Sequence, residues 1–230
     1  MESFVLLTNP RRVDTYRTNF GPPFPKRKAM QVKNQMIRKV QTIPPGTSIL
    51  RAIEIMHEKS IRHLPVVDNG KLVGLVTEGD LRQASLLSLV DKVSIEDVMI
   101  RKPVTISPEA SIEEAARLIH RHKIGGLPVV SGKKLVGILT IVDLLDAFIQ
   151  LLGILKSSSR IEVVLGRKPH AFEEVSAVFR KYRAEIVSVG MSSHKDRRKR
   201  VYYFRVGKCP LKAIAAELKK KGYRILSVLE

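Results

Sequence analysis

The feature that most limits how this chain can fold is that its first half carries one sequence twice. Displaced by 63 residues, positions 36–81 fall on 99–144 without a gap, and 23 of the 46 pairs are identical. Met36-Ile37-Arg38-Lys39 lands on Met99-Ile100-Arg101-Lys102, and Leu64-Pro65-Val66-Val67 on Leu127-Pro128-Val129-Val130. Lys71-Leu72-Val73-Gly74 lands on Lys134-Leu135-Val136-Gly137. Such a repeat implies one supersecondary unit built twice. In each copy a short strand (Thr42-Ile43 in the first) leads through a turn, here Pro44-Pro45-Gly46, into a helix. Ile49, Ala52, Ile53 and Met56 recur at i, i+3, i+4 and i+7, the stripe of a one-sided helix, and Ile112, Ala115, Ala116 and Ile119 repeat it. Ser111 and Glu114 give the second of these helices a capping-box signature. Two apolar strands follow at 64–67 and 72–76, joined by the hairpin turn Asp68-Asn69-Gly70, and a further helix begins near Asp80. A β-α-β-β-α unit of this size cannot bury both helix faces alone, so the two copies are expected to share a core.

Leu64-Pro65-Val66-Val67 followed by Gly74-Leu75-Val76-Thr77-Glu78-Gly79-Asp80 resembles a CBS motif. Leu127-Pro128-Val129-Val130 followed by Gly137, Leu139, Thr140 and Asp143 resembles a second. The resemblance covers residues 36 to about 150 and implies a Bateman module. Such a module has two clefts for regulatory adenosyl ligands: AMP, ADP, ATP or S-adenosylmethionine. Thr77 with Asp80, and Thr140 with Asp143, then sit at strand-to-helix junctions. There a carboxylate can accept hydrogen bonds from both ribose hydroxyls, and helix N–H groups face a phosphate. The same spacing also suits a carboxylate that caps its own helix. The resemblance places the adenine across the pair: Ala110, Ala115, Ile124 and Gly125 opposite Asp80, and Thr47, Ala52, Ile61 and Arg62 opposite Asp143. The copies diverge just before Leu-Pro-Val-Val, where the first has Arg62-His63 and the second Gly125-Gly126. Arg62 and His63 are candidate phosphate ligands, or else side chains that complement a helix end, and the two clefts are expected to differ in affinity.

Beyond Leu155 the pattern changes to strand, helix, two strands, helix and strand, the ferredoxin-like order. Behind a CBS pair this resembles an ACT domain, as in AcuB-like proteins. Gly166-Arg167-Lys168-Pro169-His170 replaces the turn usual in that family, which argues against an amino-acid effector site. The whole reads as a mixed α/β (α+β) protein. Residues 1–35 form a basic extension that is either a disordered arm or a strap, 36–95 the first CBS motif, 96–153 the second, and 154–230 a basic ferredoxin-like, ACT-like domain.

Of the net charge of +19, residues 154–230 carry +12 and the larger stretch 36–153 only +2. A basic domain with Tyr203 and Arg205 on one strand face, below the run Arg197-Arg198-Lys199-Arg200, suggests weak binding of nucleic acid or another polyanion. Packing of these aromatics in the core or at a dimer interface is the plainer reading. No spacing of His, Cys, Asp or Glu suits a metal, no nucleophile sits beside a base, and no catalytic residue or cofactor is expected. A single cysteine, Cys209, and the lack of a long apolar run favour a cytoplasmic protein with no membrane partner. The expected function is a non-enzymatic adenine-nucleotide sensor that acts on a partner or through a homodimer. The alternative is a nucleic-acid-binding protein with the CBS pair as its regulator.

Overall fold

The computed structural model describes residues 30–86, 93–155, 158–166, 168–192 and 200–229. Helix α1 (Ile49–Lys59) starts where the Ser48 hydroxyl accepts a hydrogen bond from the Arg51 N–H, and it ends at Ser60 in the left-handed conformation (φ 51°). Its buried stripe is Ile49, Ala52, Ile55 and Met56. The expected stripe therefore holds at three positions, and Ile53 gives way to Ile55 because the face that meets the sheet is rotated. Strands β1 (His63–Asp68) and β2 (Lys71–Thr77) form the expected antiparallel hairpin. Asn69 (φ 47°) and Gly70 (φ 75°) form its turn, where two positive φ angles match the twist of the strands. Helix α2 (Glu78–Leu86) follows directly, and the short helix α3 (Ile95–Val98) leads into the second copy.

The second copy repeats this with α4 (Ile112–His122), β3 (Gly126–Ser131), β4 (Lys134–Thr140) and α5 (Ile141–Leu152). At α4 the Ser111 hydroxyl accepts from the Glu114 N–H at 3.1 Å. The first strand expected of each copy is only a single bridge, Ile43 to Val66 and Ile106 to Val129. The two hairpins join into one sheet of order β1-β2-β4-β3, touching at Lys71 and Lys134.

What locks the copies together is reciprocal. Ile37, at the head of the first copy, exchanges backbone hydrogen bonds of 2.9 and 3.0 Å with Ile138 on β4. Ile100, at the head of the second, does the same with Leu75 on β2 at 2.8 and 3.1 Å. Met36 lies in the core of the second copy with Ile112 and Leu127, and Met99 in that of the first with Ile49 and Leu64. Gly74 and Gly137 permit this crossing, since a Cβ on either would collide with Met99 or Met36. The chain upstream joins the same arrangement. Val32 is fully buried in the second copy, and its N–H donates to the Ala110 carbonyl at 2.9 Å. Residues 30–35, read from sequence as the end of an extension, are therefore a strap on the second motif; residues 1–29 lie outside the described residues.

The C-terminal part is the expected βαββαβ. Strands β5 (Ser159–Val164), β6 (Ile186–Met191), β7 (Val201–Val206) and β8 (Arg224–Leu229) alternate with α6 (Ala171–Lys181) and α7 (Leu211–Lys220). All pair antiparallel in the order β6-β7-β5-β8. Ile161, Val163, Phe204 and Val206 face the helices and pack on Val175, Phe179, Leu211 and Leu218. Phe172 lies at the rim of this core, stacked on Phe204 at 5.8 Å but 46% exposed. The end of α5 abuts this domain, where the Ser188 hydroxyl donates to the Leu152 carbonyl at 2.9 Å.

Candidate functional site

The Thr-x-x-Asp pairs form matching constructions at the starts of α2 and α5. Asp80 Oδ2 accepts from the Thr77 N–H (2.8 Å) and hydroxyl (2.7 Å), and the Asp80 N–H leans on Thr77 Oγ1 at 3.3 Å. Asp143 and Thr140 repeat this at 2.7, 2.7 and 3.4 Å, a reciprocal capping box. The capping suggested by the spacing is thus present in both copies. It engages one carboxylate oxygen, and Oδ1 takes no part in the box. A fixed, half-buried Oδ1 is suited to accept from a ligand hydroxyl.

The residues expected around the adenine are scattered more widely. Ala52 and Ala115 are fully buried core residues, so neither offers a surface to a base. The Thr47 hydroxyl is turned to the Pro44 carbonyl at 2.8 Å. Ala110 and Ile124 pack at the edge of the second core. The carbonyls of Arg62 and Gly125 accept from the first N–H groups of α2 and α5, Glu78 and Ile141, both at 3.0 Å. Arg62, just ahead of β1, and His63, its first residue, also face different cavities. Arg62 turns to a cavity of about 650 Å³ between α1 and α2, beside Glu78, Leu81 and Arg82. His63 turns to a second cavity, where the two copies meet.

That second cavity, about 390 Å³, is lined by Ile37, Lys39, Val40, Gln41, Lys59, Ile61, His63 and Ile138. It lies within the roughly 300–1,000 Å³ range of small-molecule pockets. Ile138 stands two residues before Thr140 on the same face of β4, which ties the cavity to the Asp143 junction. Of the residues singled out from sequence, Ile61 and His63 line it; Lys39, Val40, Gln41, Lys59 and Ile138 were missed. The signal for them lay in the cross-copy pairing of Ile37 with Ile138, which no periodicity reveals. His63 also packs on Gly125 and Gly126 of the other copy. Burial pushes its imidazole below the ordinary value and nearby Arg62 adds to this, while the Asp80 carboxylate pulls the other way.

Among the described residues, no group of three or more His, Cys, Asp or Glu could hold a metal ion, and no helix is long and apolar enough to cross a membrane. In the C-terminal sheet Tyr203 and Arg205 share the face opposite the core with Arg160 and Glu162, which are paired at 3.0 Å. Arg197, Arg198 and Lys199 lie outside the described residues; Arg200 leads into β7.

This pair of hairpins, each closed by a capped helix and crossed by the other's leading segment, defines a two-copy module with a cavity where the copies meet. The CBS domain profile matches residues 29–87 and 95–150, half of the chain, which therefore belongs to the CBS domain family. A CBS domain-containing protein of Dictyostelium discoideum is 36% identical over 134 residues, 53% of this chain and 92% of that one. A homoserine O-acetyltransferase of Methanococcoides burtonii is 41% identical over 115 residues, 49% of this chain but only 23% of that enzyme. The chain thus spans about a quarter of the length of such an enzyme. Among solved structures, the CBS pair of protein MJ0100, in complex with 5′-methylthioadenosine and S-adenosyl-L-methionine, is 32% identical with a TM-score of 0.50, covering 53% of this chain and 97% of that one. A protein named for acetoin utilization, AcuB of Vibrio cholerae, is 34% identical with a TM-score of 0.52, covering 56% and 99%.

Proposed function

We propose that the chain is a regulatory sensor of adenine nucleotides whose working site is the cavity at the junction of the two copies, on the Asp143 side. The observation that carries this is the cavity itself: Ile61 and Ile138 supply apolar walls, and Lys39 and Lys59 bring cationic groups to the same space. Thr140, two residues beyond Ile138 on β4, and Asp143 Oδ1 hold the ribose in this reading. The base lies between Ile61 and Ile138, and the phosphate meets Lys39 and Lys59, with His63 only part of the wall. The ligands bound by the CBS pair of protein MJ0100 support an adenosyl group here. A cavity of this size leaves AMP, ADP, ATP and S-adenosylmethionine as candidates. The C-terminal domain, an ACT-like fold by its strand order, receives the signal from α5 and passes it to a partner or to a second copy. Calorimetric titration with AMP, adenosine and S-adenosylmethionine tests the reading. Saturable binding, stronger for AMP than for adenosine and weakened by Lys39→Ala with Lys59→Ala, is expected; no binding of any of the three removes the reading.

The charge of +12 on residues 154–230 favours a second, weaker activity, sequence-independent binding of polyanions. Glu162 amid the exposed face of the sheet speaks against base stacking there. Retention on heparin that falls steeply with salt is expected, without preference among nucleic-acid sequences; tight binding of one sequence at physiological salt would make this activity primary.

A further inference from the structure

Arg62-His63 and Gly125-Gly126 hold equivalent places in the two copies, and the fold brings His63 onto the glycines. A Cβ added to Gly125 would stand 2.9 Å from His63 Nε2 and 3.0 Å from Cε1, and one added to Gly126 would stand 3.3 Å from Cδ2. These are shorter than ordinary van der Waals contacts, so the imidazole already fills the space over both glycines. Its backbone is held by the pairing of His63 with Thr77, and the ring lies within electrostatic reach of Asp80. The module is therefore unsymmetrical at its centre. On the Asp80 side, the surface of Gly125 and Gly126 is covered by a ring. On the other side two glycines have no side chain to send back, and there the cavity of about 390 Å³ lies, with His63 as part of its wall.

We propose that His63 is a plug: it occupies the place a base would take against Gly125 in the Asp80-side cleft and leaves one adenosyl site per chain, on the Asp143 side. This rests on the nucleotide-binding reading of the module. Opening the Asp80 side requires the ring to leave Gly125, and the adjoining space it can enter is the cavity on the Asp143 side. One side chain thus makes occupation of the two clefts mutually exclusive.

The test is calorimetric titration of the full chain with AMP, with circular dichroism and thermal unfolding as controls of folding. The native chain binds one AMP, and Asp143→Ala weakens it by roughly 10- to 100-fold. His63→Ala binds two, and His63→Ala with Asp143→Ala keeps one. Should His63→Ala fail to fold, His63→Ser carries the same comparison. Two AMP per native chain, or a single AMP in the folded His63 variant, overturns the plug while nucleotide binding stands. Absence of binding to every variant overturns the nucleotide reading and the plug with it.

Discussion

The first and second CBS copies match closely in most of their cores and at the Thr-x-x-Asp helix starts, and they differ at the outer face of the last helix and where the two copies meet. Ile49, Leu64, Val66 and Leu81 of one core have Ile112, Leu127, Val129 and Leu144 in the other, all buried. At the outer face of the last helix, Glu78 and Arg82 of α2 form an ion pair at 3.0 Å. Their counterparts on α5, Ile141 and Leu145, are apolar and about half exposed. At the centre, an arginine and a histidine stand opposite two glycines. Packing tolerates little change in volume, so the buried positions stay matched. A surface has no such constraint, and each copy has its own: the first contributes the cations and the plugging ring, and the second the open carboxylate and the helix that reaches the C-terminal domain.

The sharpest way to break this comparison is to remove the two carboxylates separately. Asp143→Ala should weaken AMP by roughly 10- to 100-fold, the loss of charge-assisted hydrogen bonds worth about 1.5–3 kcal/mol. Its effect on calorimetric affinity should exceed that of Asp80→Ala; the reverse order would move the working cleft to the other side. Next in size is the crossing of the copies. Gly137→Ala drives a methyl against Met36 and the Ile37 carbonyl, and Gly74→Ala does so against Met99 and the Ile100 carbonyl. Each should cost about 1–3 kcal/mol in urea unfolding, and near-equal losses would show that the two crossings bear equal weight. Smaller again are the caps. Thr77→Val and Thr140→Val remove the hydroxyl from each capping box and should each lower stability by about 1 kcal/mol, read as a fall in melting temperature without AMP. If only Thr140→Val were destabilising, the matched geometry of the two boxes would not mean matched strength.

The smallest expected effect is a dependence on pH. The His63 value is lowered in the folded chain by burial and by Arg62, with Lys39 and Lys59 on the same cavity and Asp80 opposing. Below the ordinary value of 6.5 the unfolded chain therefore takes up a proton more readily than the folded one. The neutral ring's share of stability is thus present above that value and lost as pH falls through the window beneath it. Stability should decline as pH falls below 6.5, and His63→Ala should flatten that decline. An unchanged slope in the variant would assign the decline to other groups.

Much of this was legible in the sequence because it is local. The repeated Leu-Pro-Val-Val, the Asn69-Gly70 turn and the Thr-x-x-Asp spacing each describe neighbours along the chain, and hairpins and helix starts are made of such neighbours. The strand order of residues 159–229 was readable for the same reason, since alternation marks each strand by itself. What could not be read depends on how separate segments meet. Nothing local in Ile37 points to Ile138, or in His63 to Gly125, and the adjacency of Arg62 and His63 does not reveal that they line different cavities. Ala52 and Ala115 read from sequence as small residues beside a ligand; in the fold both are fully buried members of the cores.

The exchange of leading segments, Met36 into the second core and Met99 into the first, bears on how such a molecule can be divided. Neither copy owns all the side chains that fill its interior. A chain cut between them would yield two pieces, each lacking a methionine and a bridging strand that only the other can lend. Such pieces should be poorly folded apart and should restore one another when mixed. A lone copy made as its own polypeptide would find the missing parts in its twin, so the duplicated chain is the covalent form of an intertwined pair.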